Sequence, residues 1–223
     1  MAARLIVLGR QGAGKGTQCS RLADRLGISH VSTGDLMRDE IARRSPIGRQ
    51  IERFVAMGDL VPDEIVLDLV ASNLGNAAHR ADGYLLDGFP RTLAQGQALF
   101  EVLGAGAADL AVEIDVPIEV VSARLAARRV CAMCGHITAV TRGDEARLCA
   151  ECNGVLTRRT DDQPEAIARR LAHYDEQAGP LLLWLDGLGL LVTVDGSGPP
   201  DEVHERIVVA VAERLPAVRA IAF

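Results

Sequence analysis

The chain has 223 residues, of which 48% are hydrophobic and only 3% are aromatic. This length suits one compact domain with room for a small insertion, and its core must be built from aliphatic side chains. The formal net charge of −6 at pH 7 argues against broad nucleic-acid binding, because surfaces that track phosphates are basic. The N-terminal apolar run from Leu5 to Leu8 is too short for a signal peptide, and no stretch approaches the roughly 18 apolar residues of a membrane span. We therefore expect a soluble cytoplasmic protein.

Strands and helices alternate along the predicted chain. The sequence predicts strands at 4–8, 28–32, 84–86, 110–116 and 190–194, and helices at 15–26, 34–43, 48–57, 63–75, 93–103, 118–129 and 200–214. A further helix begins near Pro164, with Asp162 as its expected N-cap, and continues past Tyr174. This alternation is typical of a parallel sheet with helices on both faces, in which ligands bind at the carboxyl ends of the strands. Residues 131–158 depart from the pattern and indicate an inserted module.

A glycine-rich segment at 9–17 follows the first predicted strand and opens the first predicted helix. Its glycines allow backbone N–H groups to surround phosphate oxygens, and the helix N-terminus adds positive potential. Lys15 can reach the β- and γ-phosphates, and the Thr17 hydroxyl can approach the phosphates or Mg²⁺. Lys15 is the single lysine among 24 lysines and arginines. A site that needs a compact ammonium group predicts that lysine is kept at such a position. The usual pattern has Ser or Thr directly after the lysine, whereas here Gly16 intervenes.

Several arginines occupy suggestive places in the sequence. They are Arg38, Arg91, Arg124, Arg128, Arg159 and Arg170. Transfer of a phosphoryl group between two nucleotides gathers many negative charges, so its catalyst needs cations that neutralise and align them. A nucleotide phosphate is already anionic at neutral pH, so such an acceptor needs no general base. Asp87 ends a predicted strand, where a carboxylate can hold the water ligands of Mg²⁺ but can equally cap the strand end.

Five sequence strings occur in a specific order and spacing. They are GAGKGTQ (12–18), STGDLMR (32–38), LLDGFPRT (85–92), RRTDD (158–162) and VDG (194–196). With these strings the chain resembles the long-lid, zinc-binding form of adenylate kinase, within the nucleoside monophosphate (NMP) kinase family, along nearly its whole length. The resemblance implies a P-loop NTPase-type α/β fold with a parallel sheet covered by helices on both faces, a helical NMP-binding insertion and a zinc-ribbon-like lid. It implies a core at 1–32, 62–129 and 159–223, an NMP-binding segment at 33–61 and a lid at 130–158.

The resemblance also implies roles for individual residues. The ATP site would comprise Gly12, Ala13, Gly14, Lys15, Gly16, Thr17, Arg124, Arg128, Ile137, Thr138 and Gly198. The AMP site would comprise Thr33, Arg38, Asp59, Leu60, Val61, Gly88, Phe89, Pro90, Arg91, Gln95, Arg159 and Arg170, with Gln95 reading the adenine edge. The residues expected to act catalytically are Lys15, Arg91, Arg128, Arg159 and Arg170. Asp87 would hold Mg²⁺, and Asp161 and Asp162 would order the arginines as the lid closes.

The chain departs from the family pattern in two places. The family often has prolines after the first glycine of the phosphate loop, whereas this chain has Arg10 and Gln11. We expect these two side chains to point away from the phosphates, while the backbone N–H groups of the loop bind the phosphates. A Gly-Arg-Arg expected at the hinge of the lid is replaced by Ala127, Arg128 and Arg129, which leaves the flexibility of the hinge open.

Four of the five cysteines form two CxxC pairs, Cys131 with Cys134 and Cys149 with Cys152. Each pair can bring two thiolates to one side of an ion, and the intervening loop lets the second pair complete a tetrahedron. Four cysteines leave no open position, so Zn²⁺ here would be structural, although spacing alone does not exclude an Fe–S cluster. Disulfides are the less favoured alternative, because they are rare in the cytoplasm. Cys19 is expected in the core and His136 on the surface.

The leading functional hypothesis is the reversible, Mg²⁺-dependent reaction of ATP with AMP to give two ADP, performed by a monomer that serves adenine nucleotide homeostasis. A kinase for UMP or CMP would use the same scaffold with a different acceptor pocket, but Thr33, Gln95 and the long lid favour AMP. A third hypothesis is a nucleotide-regulated zinc-ribbon module that binds nucleic acid or a protein partner. The acidic net charge and the lack of an aromatic, basic surface count against it. We therefore expect Mg²⁺ and structural Zn²⁺ as cofactors, with no nucleic-acid or membrane partner.

Overall fold

The computed structural model describes residues 3–74, 83–140, 148–159 and 162–216. Asp161, the C-terminal residues beyond 216 and residues 141–147 of the predicted lid lie outside these ranges. No helix within the described ranges combines the length and the apolar character that a membrane span needs.

A five-stranded parallel sheet forms the centre of the fold. Its strands are β1 (Ala3–Leu8), β2 (Ser29–Ser32), β3 (Gly83–Asp87), β4 (Leu110–Asp115) and β8 (Leu191–Asp195), in the spatial order β2-β3-β1-β4-β8. In β1, Leu5 pairs with Leu85 on one side and with Leu110 on the other. Because all five strands are parallel, their carboxyl ends lie along one edge of the sheet. The predicted α/β fold with a parallel sheet is confirmed.

Helices cover both faces of this sheet. The described residues contain α1 (Lys15–Leu26), α2 (Thr33–Ala42), α3 (Pro46–Met57), α4 (Asp63–Leu74), α5 (Leu93–Leu103), α6 (Ile118–Ala127), α7 (Pro164–Gly187) and α8 (Pro200–Arg214). On one face, α1 and α8 bury Leu22 and Ile207 against the strands. On the other face, α2 to α5 and the second half of α7 bury Ile51, Leu99 and Leu181. Aliphatic side chains dominate both cores, as the composition predicts.

Local sequence sets most of the helix ends. α1 ends at Gly27, which has the left-handed φ of +64° that glycine adopts without strain. α8 begins at Pro200, whose fixed φ suits the first helical turn. Ser32 and Ser45 cap α2 and α3, because each side chain accepts a hydrogen bond from the backbone N–H three residues on. The predicted helices at 15–26, 93–103 and 200–214 therefore have the predicted bounds.

Most other predicted element ends lie within two residues of the observed ones, and two of the errors have a clear structural cause. The helix predicted to run to 129 ends at Ala127, because Arg128 has an extended backbone and starts a small antiparallel sheet. That sheet contains β5 (Arg128–Cys131), β6 (Ile137–Ala139) and β7 (Leu156–Thr157), in the order β6-β5-β7. Pairing with β6 and with the more distant β7 thus overrides the local helical pattern. Asp162 is not the N-cap of α7 either, since Gln163 holds that position and no side chain caps the helix.

Candidate active site

The phosphate loop joins β1 to α1 and is shaped by glycines. Gly9 has φ +140° and Gly12 has φ +87°, conformations that L side chains rarely adopt. A Cβ atom at Gly9 would lie 2.5 Å from the Ile114 carbonyl oxygen, and one at Gly12 would lie 2.9 Å from the Val121 carbonyl oxygen. Only glycine therefore lets the loop pack against β4 and α6. The loop leads directly into α1, so the N-terminus of that helix faces the space that the loop encloses.

Lys15 lies at the start of α1, with its ammonium group folded over the loop. Its Nζ donates hydrogen bonds to the carbonyl oxygens of Gly9 (2.7 Å) and Arg10 (2.9 Å). Burial lowers the pKa of Lys15 to about 8, while the neighbouring Asp87 carboxylate opposes this shift and Arg91 adds to it. A bound phosphate would supply the negative charge that this buried ammonium lacks.

The end of β3 and the start of α5 form the opposite side of the cleft. Arg91 Nε donates to the Gly88 carbonyl oxygen, and the backbone N–H of Arg91 donates to Gln95 Oε1, both at 2.7 Å. The Gln95 side chain is 2% exposed and donates through its amide nitrogen to Asp63 Oδ1 at 2.6 Å. Thr33 Oγ1, at the start of α2, lies 3.2 Å from the Gly88 carbonyl oxygen. These residues hold one another in place around a concave surface.

The predicted arginines approach the cleft from several elements. Arg38 donates to Asp35 within α2 at 2.6 Å. Burial would raise the pKa of Asp35, but the hydrogen bond and the charge of Arg38 outweigh it and hold that pKa below its usual value. Arg170 on α7 donates to the Val55 carbonyl oxygen at 3.1 Å. Arg124 on α6 donates to carbonyl oxygens of the phosphate loop and of the loop after β8, at 3.2–3.4 Å.

Arg128 and Arg170 meet at Gln11, beside the phosphate loop. Arg128 forms a two-pronged ion pair with Asp162, whose side chain is fully buried. With its amide oxygen facing the two guanidinium groups, Gln11 accepts hydrogen bonds from Arg128 at 3.1 Å and from Arg170 at 2.8 Å. The prediction that Gln11 points away from the site is therefore wrong. Arg10 does turn away, toward carboxylates on β4 and α7.

A cavity of about 770 Å³ runs between the two sides of the cleft. All of the residues predicted for the ATP and AMP sites line it except Phe89, which is fully buried in the core. Residues that the sequence did not single out also line it, among them His30, His173, Tyr174 and Gln177. The last three lie on one face of α7, and nothing in their local pattern distinguishes a ligand-facing surface from an ordinary solvent-facing one.

Asp87 ends β3 beneath the phosphate loop and is 8% exposed. Its Oδ2 atom lies 3.6 Å from where a Cβ atom of Gly16 would stand, so the carboxylate faces the start of α1. Carboxylate oxygens are the ligands that Mg²⁺ prefers, usually with water and substrate phosphates completing its shell. The position and chemistry of Asp87 therefore fit a Mg²⁺ ion that arrives with a nucleotide.

The four cysteines of the two CxxC pairs meet in one cluster. Their sulfur atoms lie within 4.8 Å of one another, with 3.4 Å between Cys131 and Cys152 and 3.7 Å between Cys134 and Cys149. A tetrahedral zinc ion with Zn–S bonds of about 2.3 Å separates its sulfurs by about 3.8 Å. The cluster is therefore of the right size and composition to hold Zn²⁺.

The clustered thiols differ in how readily they lose their protons. The backbone N–H of Cys134 helps to lower the pKa of Cys131 to about 6, whereas hydrogen bonding with Cys134 raises the pKa of Cys152 to about 12. A divalent ion bound by all four sulfurs would favour the thiolate form of each. As predicted, Cys19 is buried in the core and His136 is exposed.

Comparison with known proteins identifies the family. A family model described as adenylate kinase matches residues 7–187. The adenylate kinase of Lachnoclostridium phytofermentans is 41% identical over 92% of this chain and 96% of the relative. That of Lachnospira eligens is 40% identical over 92% of this chain and 98% of the relative, and that of Acidothermus cellulolyticus is 39% identical over 93% and 97%. The chain therefore belongs to the adenylate kinase family of phosphotransferase enzymes.

Proposed function

We propose that this enzyme transfers the γ-phosphoryl group of ATP reversibly to AMP, in a Mg²⁺-dependent reaction that yields two molecules of ADP. The observation that carries the proposal is one cavity of about 770 Å³ that joins the phosphate loop to the recess formed by the end of β3 and the start of α5, and that is lined by several arginines. This volume falls within the range of roughly 300–1,000 Å³ that is usual for small-molecule sites. Two phosphate-binding ends in one cavity suit a donor and an acceptor that are both nucleotides.

ATP would occupy the end formed by the phosphate loop. The backbone N–H groups from Gly12 to Thr17 would bind its phosphates, and the N-terminus of α1 would stabilise their charge. Lys15 would exchange its two carbonyl partners for the β- and γ-phosphates. Arg124 would cover ATP from the hinge of the lid, Gly198 would lie beside its adenine, and β6 of the small sheet would add a further cover.

AMP would occupy the opposite end. Arg38 and Arg91 would bind its phosphate, and the backbone of 59–61 with Thr33 would line the base pocket. Gln95 would read the adenine edge. Both ends of its side-chain amide are already hydrogen-bonded, so we infer that adenine replaces one of these partners when AMP binds.

The transfer itself needs positioning and charge neutralisation more than proton transfer. The bond from the γ-phosphorus to the β–γ bridging oxygen of ATP breaks, which releases ADP, while a bond forms to a phosphate oxygen of AMP, which becomes the second ADP. That acceptor oxygen is already anionic, so no general base is required. Arg128, Arg159 and Arg170 would stabilise the charge that spreads over the transferred group and hold the two nucleotides in line.

Magnesium would be held by Asp87 and the Thr17 hydroxyl, through its water ligands. When bound, the ion neutralises part of the phosphate charge and fixes the orientation of the phosphates. Asp87 suits this role because it is a nearly buried carboxylate that faces the start of α1. The negative charge of Asp87 also stabilises the Lys15 ammonium. The two residues would therefore bind the metal ion and the phosphates side by side.

We propose that residues 130–158 act as a lid and residues 33–61 as a second cover, around a core of 1–32, 62–129 and 159–223. β5 begins at Arg128, so any movement of the small sheet would carry this arginine with it. Closure would exclude water, which would otherwise accept the phosphoryl group. Zn²⁺ bound by the four cysteines would give the lid the cohesion that a small apolar core cannot supply.

The proposal extends to a cytoplasmic monomer that keeps ATP, ADP and AMP in balance. Both proposed nucleotide sites lie in one cavity of one chain, so the reaction requires no residue from a second copy. Light scattering coupled to size-exclusion chromatography would test this part, and a stable dimer would contradict it.

A coupled assay of ADP formation tests the proposed reaction. ATP is combined with AMP, GMP, CMP or UMP, with and without Mg²⁺, and we expect the highest kcat/KM for AMP and no turnover without the metal. Faster turnover with a pyrimidine nucleotide would reassign the acceptor. No ADP from ATP and AMP with metal-replete protein would overturn the reaction.

A further inference from the structure

A thiol, an imidazole and a carboxylate meet beneath the phosphate loop, apart from the cysteines of the small sheet. Cys19, His30 and Asp87 each offer one ligand atom, and these three atoms all lie within 4.8 Å of one another. The closest pair recorded is His30 Nε2 with Asp87 Oδ2, at 3.4 Å. This combination of side chains is a common ligand set for transition metals.

The fold itself brings these three residues together. β2 pairs with β3 so that Ser32 lies beside Asp87, and His30 lies two residues earlier in β2, on the same face of the sheet. Cys19 lies just over one turn into α1, on the face that packs against the sheet, and is 0% exposed. Each ligand therefore stands on a different regular element, and the cluster does not depend on a loop.

The size of the cluster suits a metal ion. Zinc bonds of about 2.0–2.3 Å to sulfur, nitrogen and oxygen place the ligand atoms of a tetrahedral site about 3.3–3.8 Å apart. The His30–Asp87 distance of 3.4 Å already meets this requirement. Because no pair exceeds 4.8 Å, the remaining distances need to shorten by no more than about 1.5 Å.

Charge and access also favour a cation at this place. A Cys19 thiolate and the Asp87 carboxylate would together balance the two positive charges of the ion, whose binding would oppose the burial that raises the pKa of the free Cys19 thiol. His30 and Asp87 line the nucleotide cavity, with side chains 24% and 10% exposed, so an ion could enter from the cleft. Three protein ligands leave a fourth position for water or a phosphate oxygen, as in zinc sites with an open position.

We propose that Cys19, His30 and Asp87 form a second transition-metal site, which binds Zn²⁺ or Co²⁺ and inhibits the enzyme by occupying the carboxylate used by Mg²⁺. Mg²⁺ strongly prefers oxygen ligands, so it does not compete for the thiol and the imidazole. The inhibition rests on the proposed role of Asp87 in the reaction. The metal binding does not, because it depends only on the three side chains.

The binding test uses nucleotide-free protein whose cysteine cluster has been loaded with one equivalent of Zn²⁺. Co²⁺ is then titrated in while the absorption spectrum is recorded, and the cluster retains its zinc because Zn²⁺ binds such sites more tightly than Co²⁺. We expect one further Co²⁺ per chain and a thiolate-to-cobalt charge-transfer band. Cys19→Ala should abolish the band and weaken binding at least tenfold, and His30→Gln should weaken binding at least tenfold.

His136→Gln is the matched control, because this exposed histidine lies beside the cysteine cluster and outside the proposed site. This substitution should leave the binding of the further Co²⁺ ion and its charge-transfer band unchanged. Cys19→Ser provides a second, size-matched variant where Cys19→Ala alters packing, and a melting curve checks the fold of each. Absence of a second equivalent, or a band that survives both Cys19 substitutions, would overturn the site.

The inhibition is tested separately, in assays with buffered free Zn²⁺ and saturating Mg²⁺. Half-inhibition should require at least tenfold more free Zn²⁺ in Cys19→Ala than in the unaltered enzyme. Equal sensitivity of the two proteins would overturn the inhibitory role. Because the binding test contains no nucleotide, a failure of the proposed reaction would not be mistaken for a failure of the site.

Discussion

At the scale of single residues, the charge state of Lys15 links nucleotide binding to pH. Burial lowers its pKa to about 8, and bound phosphates would favour the ammonium form and raise the pKa again. Between the two pKa values, binding therefore takes up a proton. We expect the affinity for ATP to be nearly constant below about pH 7.5 and to fall above pH 8 by up to about tenfold per pH unit. Titration calorimetry in two buffers of different ionisation enthalpy measures both the Kd and the proton uptake.

Lys15→Arg is the control for this pH dependence. Arginine stays charged throughout the range, so its weaker binding of ATP should not change with pH. Lys15→Met should abolish phosphoryl transfer while the melting curve stays close to that of the unaltered enzyme. A Kd that is constant up to about pH 9.5 in the unaltered enzyme would refute the proposed link.

Gln11 makes the most specific contacts that the family resemblance did not predict. It accepts hydrogen bonds from Arg128 and Arg170, both of which are proposed to act on the transferred group. Gln11→Leu removes both bonds, each worth about 1 kcal/mol, so kcat should fall by up to about thirtyfold. Gln11→Glu should lower kcat further, because its carboxylate would pair with the two arginines and compete with the phosphates.

Steady-state kinetics of these Gln11 variants distinguish a positioning role from a merely structural one. A structural role would change the melting temperature and leave the order of kcat values unrelated to charge. We expect kcat to decrease in the order Gln, Leu, Glu, with melting temperatures within a few degrees. Equal kcat values for all three proteins would show that Gln11 does not position the arginines.

At the scale of secondary-structure elements, two similar turns build the cysteine cluster. The N–H of Gly135 donates to the Cys131 carbonyl oxygen at 3.0 Å, and the N–H of Asn153 donates to the Cys149 carbonyl oxygen at 2.9 Å. Gly135 and Asn153 both have positive φ, of 73° and 56°, which closes each turn behind its CxxC pair. The backbone thus presents the four sulfurs to one point, and the small sheet holds the two turns side by side.

Gly154 is the residue at which this arrangement is most sensitive to added volume. A Cβ atom there would lie 2.7 Å from Cys131 Sγ, so Gly154→Ala should displace a zinc ligand. We expect a lower zinc content after dialysis and a lower melting temperature. Elemental analysis measures the zinc content and calorimetry measures the melting temperature. The double variant Cys149→Ser, Cys152→Ser should show the same two effects.

Gly179→Ala is the matched control for Gly154→Ala. Gly179 lies within α7, and apart from its two chain neighbours and the backbone of its own helix an added Cβ there meets nothing within 4 Å. Its replacement should leave the zinc content unchanged, because it lies outside the small sheet and the cysteine cluster. Unaltered zinc content and melting in Gly154→Ala would contradict the assignment of the cluster as a structural metal site.

At the scale of the whole molecule, the features predictable from the sequence are those with local signals. Gly27 and Pro200 mark the end of α1 and the start of α8, because glycine tolerates the left-handed φ that ends a helix and proline fixes the φ that suits the first turn. The strand that begins at Arg128 was missed because its pairing with β6 and with the more distant β7 is not encoded in its own residues. The contacts of Gln11 and the meeting of Cys19 with His30 also depend on tertiary packing, which local patterns do not encode. The motifs predicted which residues line the cleft, but not how they bond to one another.

The proposed division into core, lid and NMP-binding segment makes a prediction about the entire chain. ATP should slow amide hydrogen exchange in 9–17 and in the proposed lid, whereas AMP should slow it in 33–61 and 88–95, because each ligand would order the segment that closes over it. A bisubstrate dinucleotide inhibitor, which carries both adenosines, should protect all of these segments together. At a concentration about 1,000 times its Kd, it should stabilise the fold by about 4 kcal/mol.

Lys15→Met separates the two ends of the cleft in the same exchange experiment. This variant should lose the protection given by ATP and keep the protection given by AMP, because Lys15 lies at the donor end, where it bonds to the phosphate loop. Mass spectrometry of peptides from the described residues would resolve the segments. If ATP and AMP instead protected the same peptides, the two nucleotides would not occupy separate ends of the cavity, and the proposed donor and acceptor sites would have to be reassigned.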